Sequence, residues 1–163
     1  MTILGILISM VGVFIVGNFT GYFVHWLMHK GKLKSIAEAH STHHELYPVD
    51  DFTSKEYRSA GKDDSTFVFV PMILLALAIL FIPVWFIFKS LWIFPLPILL
   101  GIIIGWLNGY MHECFHIADH PLSKFKWFRN LKKLHLVHHF NPIKNMGIIW
   151  FIPDKLFNSF QKE

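Results

Sequence analysis

Hydrophobic positions in this chain fall into three long blocks separated by polar stretches. No charged residue interrupts 1–24, 67–88 or 90–112. Each block exceeds the roughly 18–20 apolar residues needed to cross a hydrocarbon core about 30 Å thick. Three such blocks in 163 residues predict an all-α integral membrane bundle with spans at about 3–29, 67–88 and 91–116. The first span, about 40 Å long at 1.5 Å per residue, outruns the bilayer core, so its last turns should emerge. It lacks a basic flank and a small-residue cleavage site, so it is expected to be a span, not a signal peptide. Only Lys89 and Ser90 separate the other two spans, which predicts an antiparallel hairpin. Pro71, Pro83, Pro95 and Pro97 are expected to kink the spans. Gly17 and Gly21, and again Gly101, Gly105 and Gly109, repeat a small residue every four positions, which permits close helix approach.

The polar stretches carry their own pattern. A helical run through Ile36, Ala37 and Ala39 leads to His40, His43 and His44, and Pro48 should end it at Tyr47. Asp50 to Ser65 reads as loop, with Asp64 or Ser65 capping the next helix. From Pro121 to Lys133, Lys124, Lys126, Arg129, Lys132 and Lys133 interleave with Phe125, Trp127, Phe128 and Leu131. Beside three spans this predicts a helix lying on an anionic leaflet, with membrane lipids and not nucleic acid as its partner. The tail, from Asn145 to Phe157, is too short to span and should pack on the membrane surface or under the rest.

Composition and charge sharpen this picture. Residues 1–163 are read as one membrane-embedded domain; 53% of them are hydrophobic and 16% charged, against about 25% charged in soluble domains. Cys114 is the single cysteine, so no intramolecular disulfide supports the fold. All of the 15 Lys and Arg except Lys89 lie on one side of the predicted spans. The positive-inside rule puts that side in the cytoplasm, as a helical cap, and the N-terminus outside.

Every one of the 11 histidines falls on that side too, in four sets: 25 and 29; 40, 43 and 44; 112, 116 and 120; 135, 138 and 139. Offsets of three and four residues put each set on one helix face. Neutral imidazoles in such numbers suit metal binding, and two ions of four to six coordination would use about eight to ten of them. Cys114, about 200° round the helix from His112, should face away. Two other readings compete. His112-Glu113-Cys114-Phe115-His116 matches the His-Glu-x-x-His pattern of an intramembrane zinc metallopeptidase, with Glu113 as base. That reading leaves eight or more histidines without a task. A metal transporter or sensor would need its histidines distributed along the spans, whereas here they cluster toward one face.

The series His25-x-x-x-His29, His40-x-x-His43-His44, His112-x-x-x-His116 and His135-x-x-His138-His139 resembles the fatty acid hydroxylase superfamily. That group includes sterol desaturases and carotene hydroxylases. The tail Asn145-Met146-Gly147, followed by Asp154-Lys155-Leu156-Phe157, is similar to the family's closing segment. The resemblance implies a dinuclear iron site, with zinc able to substitute, held by those ten histidines. It further implies O2-dependent hydroxylation or desaturation of a fatty acyl, sterol or carotenoid-like lipid. No attached cytochrome b5 domain is present, so electrons would come from a separate carrier of cytochrome b5 or ferredoxin type. His120 lies outside the four boxes and is read as supporting or structural. Glu113, Asp119 and Asp154 are candidates to orient the imidazoles, with solvated surface roles as the alternative.

Overall fold

The computed structural model describes residues 3–64, 66–88 and 94–162. Among the described residues six α-helices run in the order α1 (Ile3–His29), α2 (Ser35–Leu46), α3 (Val70–Phe88), α4 (Pro95–Phe115), α5 (Lys126–Phe140) and α6 (Ile152–Leu156). Among the described residues there is no strand, only an isolated bridge between Ser54 and Ile117. Three helices are long and apolar enough to cross a membrane, at Ile6–His29, Val70–Ile87 and Pro95–Phe115. Two begin three or four residues later than the hydropathy blocks suggest. The prolines explain the shift: Pro71 and Pro95 sit in first turns, where a missing N–H leaves no helical bond unmade. Lys89, Ser90 and Ser65, expected at the hairpin tip and as a cap, lie outside the described residues.

Glycines set how the spans meet. A Cβ on Gly101 would stand 2.6 Å from Leu77, one on Gly105 would stand 2.8 Å from the Val70 backbone, and one on Gly109 would strike the Thr66 carbonyl. Rising numbers on α4 meet falling numbers on α3, so the pair is the expected antiparallel hairpin. On α1, Gly17 faces Ile104 and Gly21 faces Asn108. Both numbers now rise together, so α1 and α4 run parallel. The same offset relates His25 to His112 and His29 to His116, so the two histidine pairs leave the bundle at one level.

Above that level the chain folds back over the exit. Gly31, at φ 64°, turns α1 into α2. Arg58 Nη1 donates to the Leu46 carbonyl at 2.8 Å and so ends α2. Ser54 pins the following loop to the end of α4, accepting from Ala118 N at 2.9 Å and donating its own N–H to His116 O at 2.8 Å. Phe128 of α5 is fully buried against Phe115, which seats α5 on the end of α4. The lower parts of α1, α3 and α4 instead expose Ile8, Val11, Leu75, Ile79, Leu99 and Ile102. That apolar belt is what a lipid environment requires.

The α3–α4 contact generates a stability test. Gly105→Ala and Gly109→Ala force backbone apart, so each should destabilise by at least the about 1–3 kcal/mol typical of overpacking. Gly12→Ala meets nothing within 4 Å and should leave stability unchanged. Thermal unfolding of the detergent-purified variants decides this; equal midpoints for Gly12→Ala and Gly109→Ala would refute the packing argument.

Candidate metal centre

Histidines from α1, α2, α4 and α5 converge where the helices leave the apolar belt. Donor atoms of His25, His29, His40, His44 and His138 all lie within 4.8 Å of one another, and those of His43, His116, His135 and His139 form a second such group. The middle histidine of each triplet crosses over. His40 and His44 join the α1 pair, while His43 goes to the other group; His135 and His139 join His116, while His138 goes the opposite way. Offsets of three and four residues do this, because His43 and His138 point about 60–100° away from their triplet partners on α2 and α5.

Backbone carbonyls fix which ring nitrogen is bare. Nδ1–H of His25 donates to Met146 O at 2.7 Å, of His116 to Phe52 O at 2.9 Å, of His138 to Lys144 O at 2.8 Å and of His139 to Tyr47 O at 2.9 Å. His43 does the same through a side chain, donating to Tyr57 Oη at 3.2 Å, while Tyr57 Oη–H donates to Asp64 at 2.9 Å. A neutral imidazole carries one proton, so Nε2 of each of these five is a lone pair aimed inward. Nε2 of His43, His112 and His139 and Nδ1 of His135 are buried with no hydrogen-bond partner. Leaving such atoms unpaired is destabilising by about 1–3 kcal/mol each.

Distances within the first group show what such converging nitrogens accommodate. Nε2 of His40 lies 3.0 Å from that of His25, 3.0 Å from that of His29 and 3.2 Å from that of His44, and His29 lies 3.0 Å from His138. One proton on His40 cannot serve three neighbouring nitrogens, so these are not ordinary hydrogen bonds. With metal–nitrogen bonds of about 2.1 Å, adjacent nitrogens stand ~3.0 Å apart at right angles and ~3.4 Å apart at the tetrahedral angle. The observed edges match the first value. Bare, converging, neutral nitrogens therefore fit a metal ion of five or six coordination.

Electrostatics agree with this. Burial, with neighbouring imidazoles adding to it, holds His40, His43, His116, His135 and His138 well below the usual histidine range. Burial takes His139 down to about 4. These side chains are neutral donors at pH 7. Burial, with Asp64 beside it, pushes the Tyr57 hydroxyl upward, so it stays a protonated donor to that carboxylate.

The two groups differ in access. His29 and His44 are half-buried and, with His40 and His139, line a cavity of about 620 Å³ rimmed by Lys34, Glu38, Ser41 and Pro142. All four histidines of the second group are buried. His112 belongs to neither group; its ring lies 4.4 Å from that of His43 and 4.7 Å from that of His135. Beside His112 and His40 is a cavity of about 20 Å³, room for a molecule the size of water, walled by Met28, Ile36 and Phe69 with Glu113 and Asp64. The larger apolar cavity, about 320 Å³ between Leu74, Phe81 and Ile98, lies far down the hairpin and not under the histidines. The small cleft beside His112 lies where glycines draw the start of α3 tightly onto α4.

The remaining sequence candidates separate clearly. Asp154 is fully buried and accepts from Met146 N at 2.7 Å and Gly147 N at 2.9 Å, so it shapes the turn whose carbonyl holds His25. Glu113 accepts from Thr66 Oγ1. Asp119 is exposed, with no hydrogen bond to any histidine among the described residues. His120 caps the short 3-10 turn Pro121–Lys124, accepting from Leu122 N at 3.3 Å, and its Nε2 meets Cys114 Sγ at 3.3 Å. Both it and Cys114 stand outside the two groups. Sequence reasoning missed Tyr57 and treated Asp64 only as a cap; both sit in a loop with no periodicity to expose their direction.

A helical membrane bundle whose exit face gathers two groups of histidine nitrogens within 4.8 Å of one another has the makings of a membrane metalloprotein. A family model described as Fatty acid hydroxylase matches residues 10–159, and the chain belongs to that family. No curated protein and no solved structure matches it significantly.

Two expectations follow from the imidazoles. Tyr57→Phe removes the acceptor of His43 Nδ1–H and should weaken metal retention about 10–100-fold, read as metal content after chelator challenge. The metal-free protein should lose stability as pH falls from about 6.5 toward about 4. The unfolded histidines take up protons first, while His139 resists until about 4, so stability present above 6.5 is lost below it. Thermal midpoints across that range check the sign.

Proposed function

We propose that this protein is a membrane-embedded di-iron oxygenase that hydroxylates or desaturates a lipid, taking O2 and electrons from a separate carrier of cytochrome b5 or ferredoxin type. The observation that carries the reading is the double convergence of bare imidazole nitrogens within 4.8 Å of one another. Iron bound there would supply activation of O2 against an unactivated C–H bond. The ten proposed ligands are His25, His29, His40, His44 and His138 for one ion and His43, His112, His116, His135 and His139 for the other. His112 completes the second set because it stands to α4 as His25 stands to α1, and its buried Nε2 has no other partner. Zinc, with the same nitrogen preference, could substitute.

The chain's own residues do the rest. Carbonyls of Met146, Phe52, Lys144 and Tyr47, with Tyr57, hold five rings in one tautomer and one orientation. Met28, Ile36, Val68 and Phe69 form the apolar side of the cleft beside His40 and His112, and a substrate carbon would approach the site there. Thr66 keeps the Glu113 carboxylate oriented at the edge of that cleft. The half-buried edges of His29 and His44 give an external electron carrier its shortest approach. With Lys89 as the single basic residue beyond the spans, the site faces the cytoplasm.

A zinc peptidase would hold one ion with His112, His116 and one further ligand, which would leave the converging donors of His25, His29, His40, His44 and His138 without a task. Glu113→Gln should therefore leave metal content intact, and activity should survive at a reduced level. His43→Ala, His112→Ala and His138→Ala should each abolish turnover and lower bound iron, measured by elemental analysis and by lipid profiling of cells with and without the protein. His120→Gln should retain iron. One zinc per chain, unchanged by these substitutions, would overturn the assignment.

A further inference from the structure

The C-terminal segment runs back toward the apolar belt and not away from it. From Met146, whose carbonyl meets His25, the chain descends along α1: Trp150 packs edge-on against Phe14 at 5.4 Å and against Phe19 at 6.0 Å. It then returns upward. Phe157 lies 6.4 Å from Phe19 and 5.4 Å from Tyr22, and Ser159 Oγ reaches Tyr22 Oη at 3.1 Å. Asn145 N donates to Ser159 O at 2.9 Å, which closes the base of the loop. Every α1 partner in this series lies within the candidate span Ile6–His29. Phe14 is about 22 Å below His29 along the axis at 1.5 Å per residue. That is well inside a hydrocarbon core about 30 Å thick.

The outer face of the loop suits that depth. Ile152 is 38% exposed, Leu156 66% and Phe157 51%, continuous with Phe23 and Trp26 on α1. The single cation on α6, Lys155, folds its ammonium over the Phe160 ring at 5.3 Å, back toward the exit level. Irregular backbone is tolerated in lipid only where its polar groups find partners within the protein. Asp154 supplies them where the loop enters and leaves: besides Met146 N and Gly147 N, its side chain accepts from Ser159 Oγ at 2.9 Å. Its carbonyl accepts from Ser159 N at 2.8 Å and Phe160 N at 3.1 Å. Gly147 is required here, since a Cβ would stand 2.6 Å from the Asp154 carboxylate. Asn145, itself fully buried, ties the loop to α5 and the tail through Leu134 O at 3.1 Å and Gln161 O at 2.7 Å.

We infer that residues 147–158 form a re-entrant segment embedded among the acyl chains of the leaflet on the histidine side. Its partner is bilayer lipid, and its buried Asp154 couples that anchor to the turn holding His25. The inference rests on the reading of α1, α3 and α4 as spans, and its test separates the two.

Spin labels are placed singly at Leu156, at Ile79 on the exposed face of α3 and at Ser41 on α2, in a Cys114→Ala background. The protein is reconstituted in nanodiscs of phosphatidylcholine and phosphatidylglycerol. Collision with O2, which favours lipid, is compared with collision with a water-soluble nickel chelate. Leu156 should match Ile79, with several-fold greater accessibility to O2 than to nickel, while Ser41 shows the reverse. A label at Ile152 repeats the measurement should Leu156 perturb the loop. Leu156 and Ile152 behaving like Ser41, with Ile79 in lipid, overturns the inference alone. Nickel access at Ile79 as well overturns the spanning reading on which it rests.

Discussion

The whole arrangement depends on one constraint: an imidazole carries a single proton when neutral, and a carbonyl can hold it. Met146, Phe52, Lys144 and Tyr47 each take an Nδ1 proton with a backbone oxygen, and Tyr57 takes that of His43. The other nitrogen of each ring is thereby committed as a buried lone pair. Many such lone pairs in a small volume are unfavourable without a cation among them. The segments that look like connecting loops, 47–58 and 141–147, exist in their present shapes to present those acceptors. The acid Asp154 extends the same logic one layer outward, by shaping the turn that offers the Met146 carbonyl.

The bundle below meets a different demand. Two histidine pairs can face each other only if α1 and α4 run parallel and in register, and two parallel helices require an intervening span to return the chain. Small residues on α1 allow that register, with Gly17 and Gly21 against Ile104 and Asn108. Gly105 and Gly109 then bring α3 in so tightly that little room remains beneath His112. The compactness of the cleft and the level of the histidines have one origin.

A pseudo-twofold logic connects the two halves. Each half contributes a pair at a helix exit and a triplet on the helix that follows. Crossing of His43 and His138 ties the halves together, so each donor group draws histidines from both. This interlock joins α2 and α5 above the membrane face, beside the apolar cluster of Phe52, Phe115 and Phe128.

Much of this was legible along the chain. Uninterrupted apolar blocks at 1–24, 67–88 and 90–112 determine three spans, because bilayer thickness sets one length for any such helix. Spacings of three and four place His25 with His29 and His112 with His116 on single faces, because helix pitch does not depend on context. What pairs across elements was not legible. Nothing in the spacing says that His43 leaves its triplet for His116, that the loop Tyr57 and Asp64 stand behind His43, or that His120 caps a turn. Those outcomes follow from how α2 and α5 are rotated over the exit. Only the tertiary structure decides that rotation, because it is fixed by contacts between residues far apart in sequence.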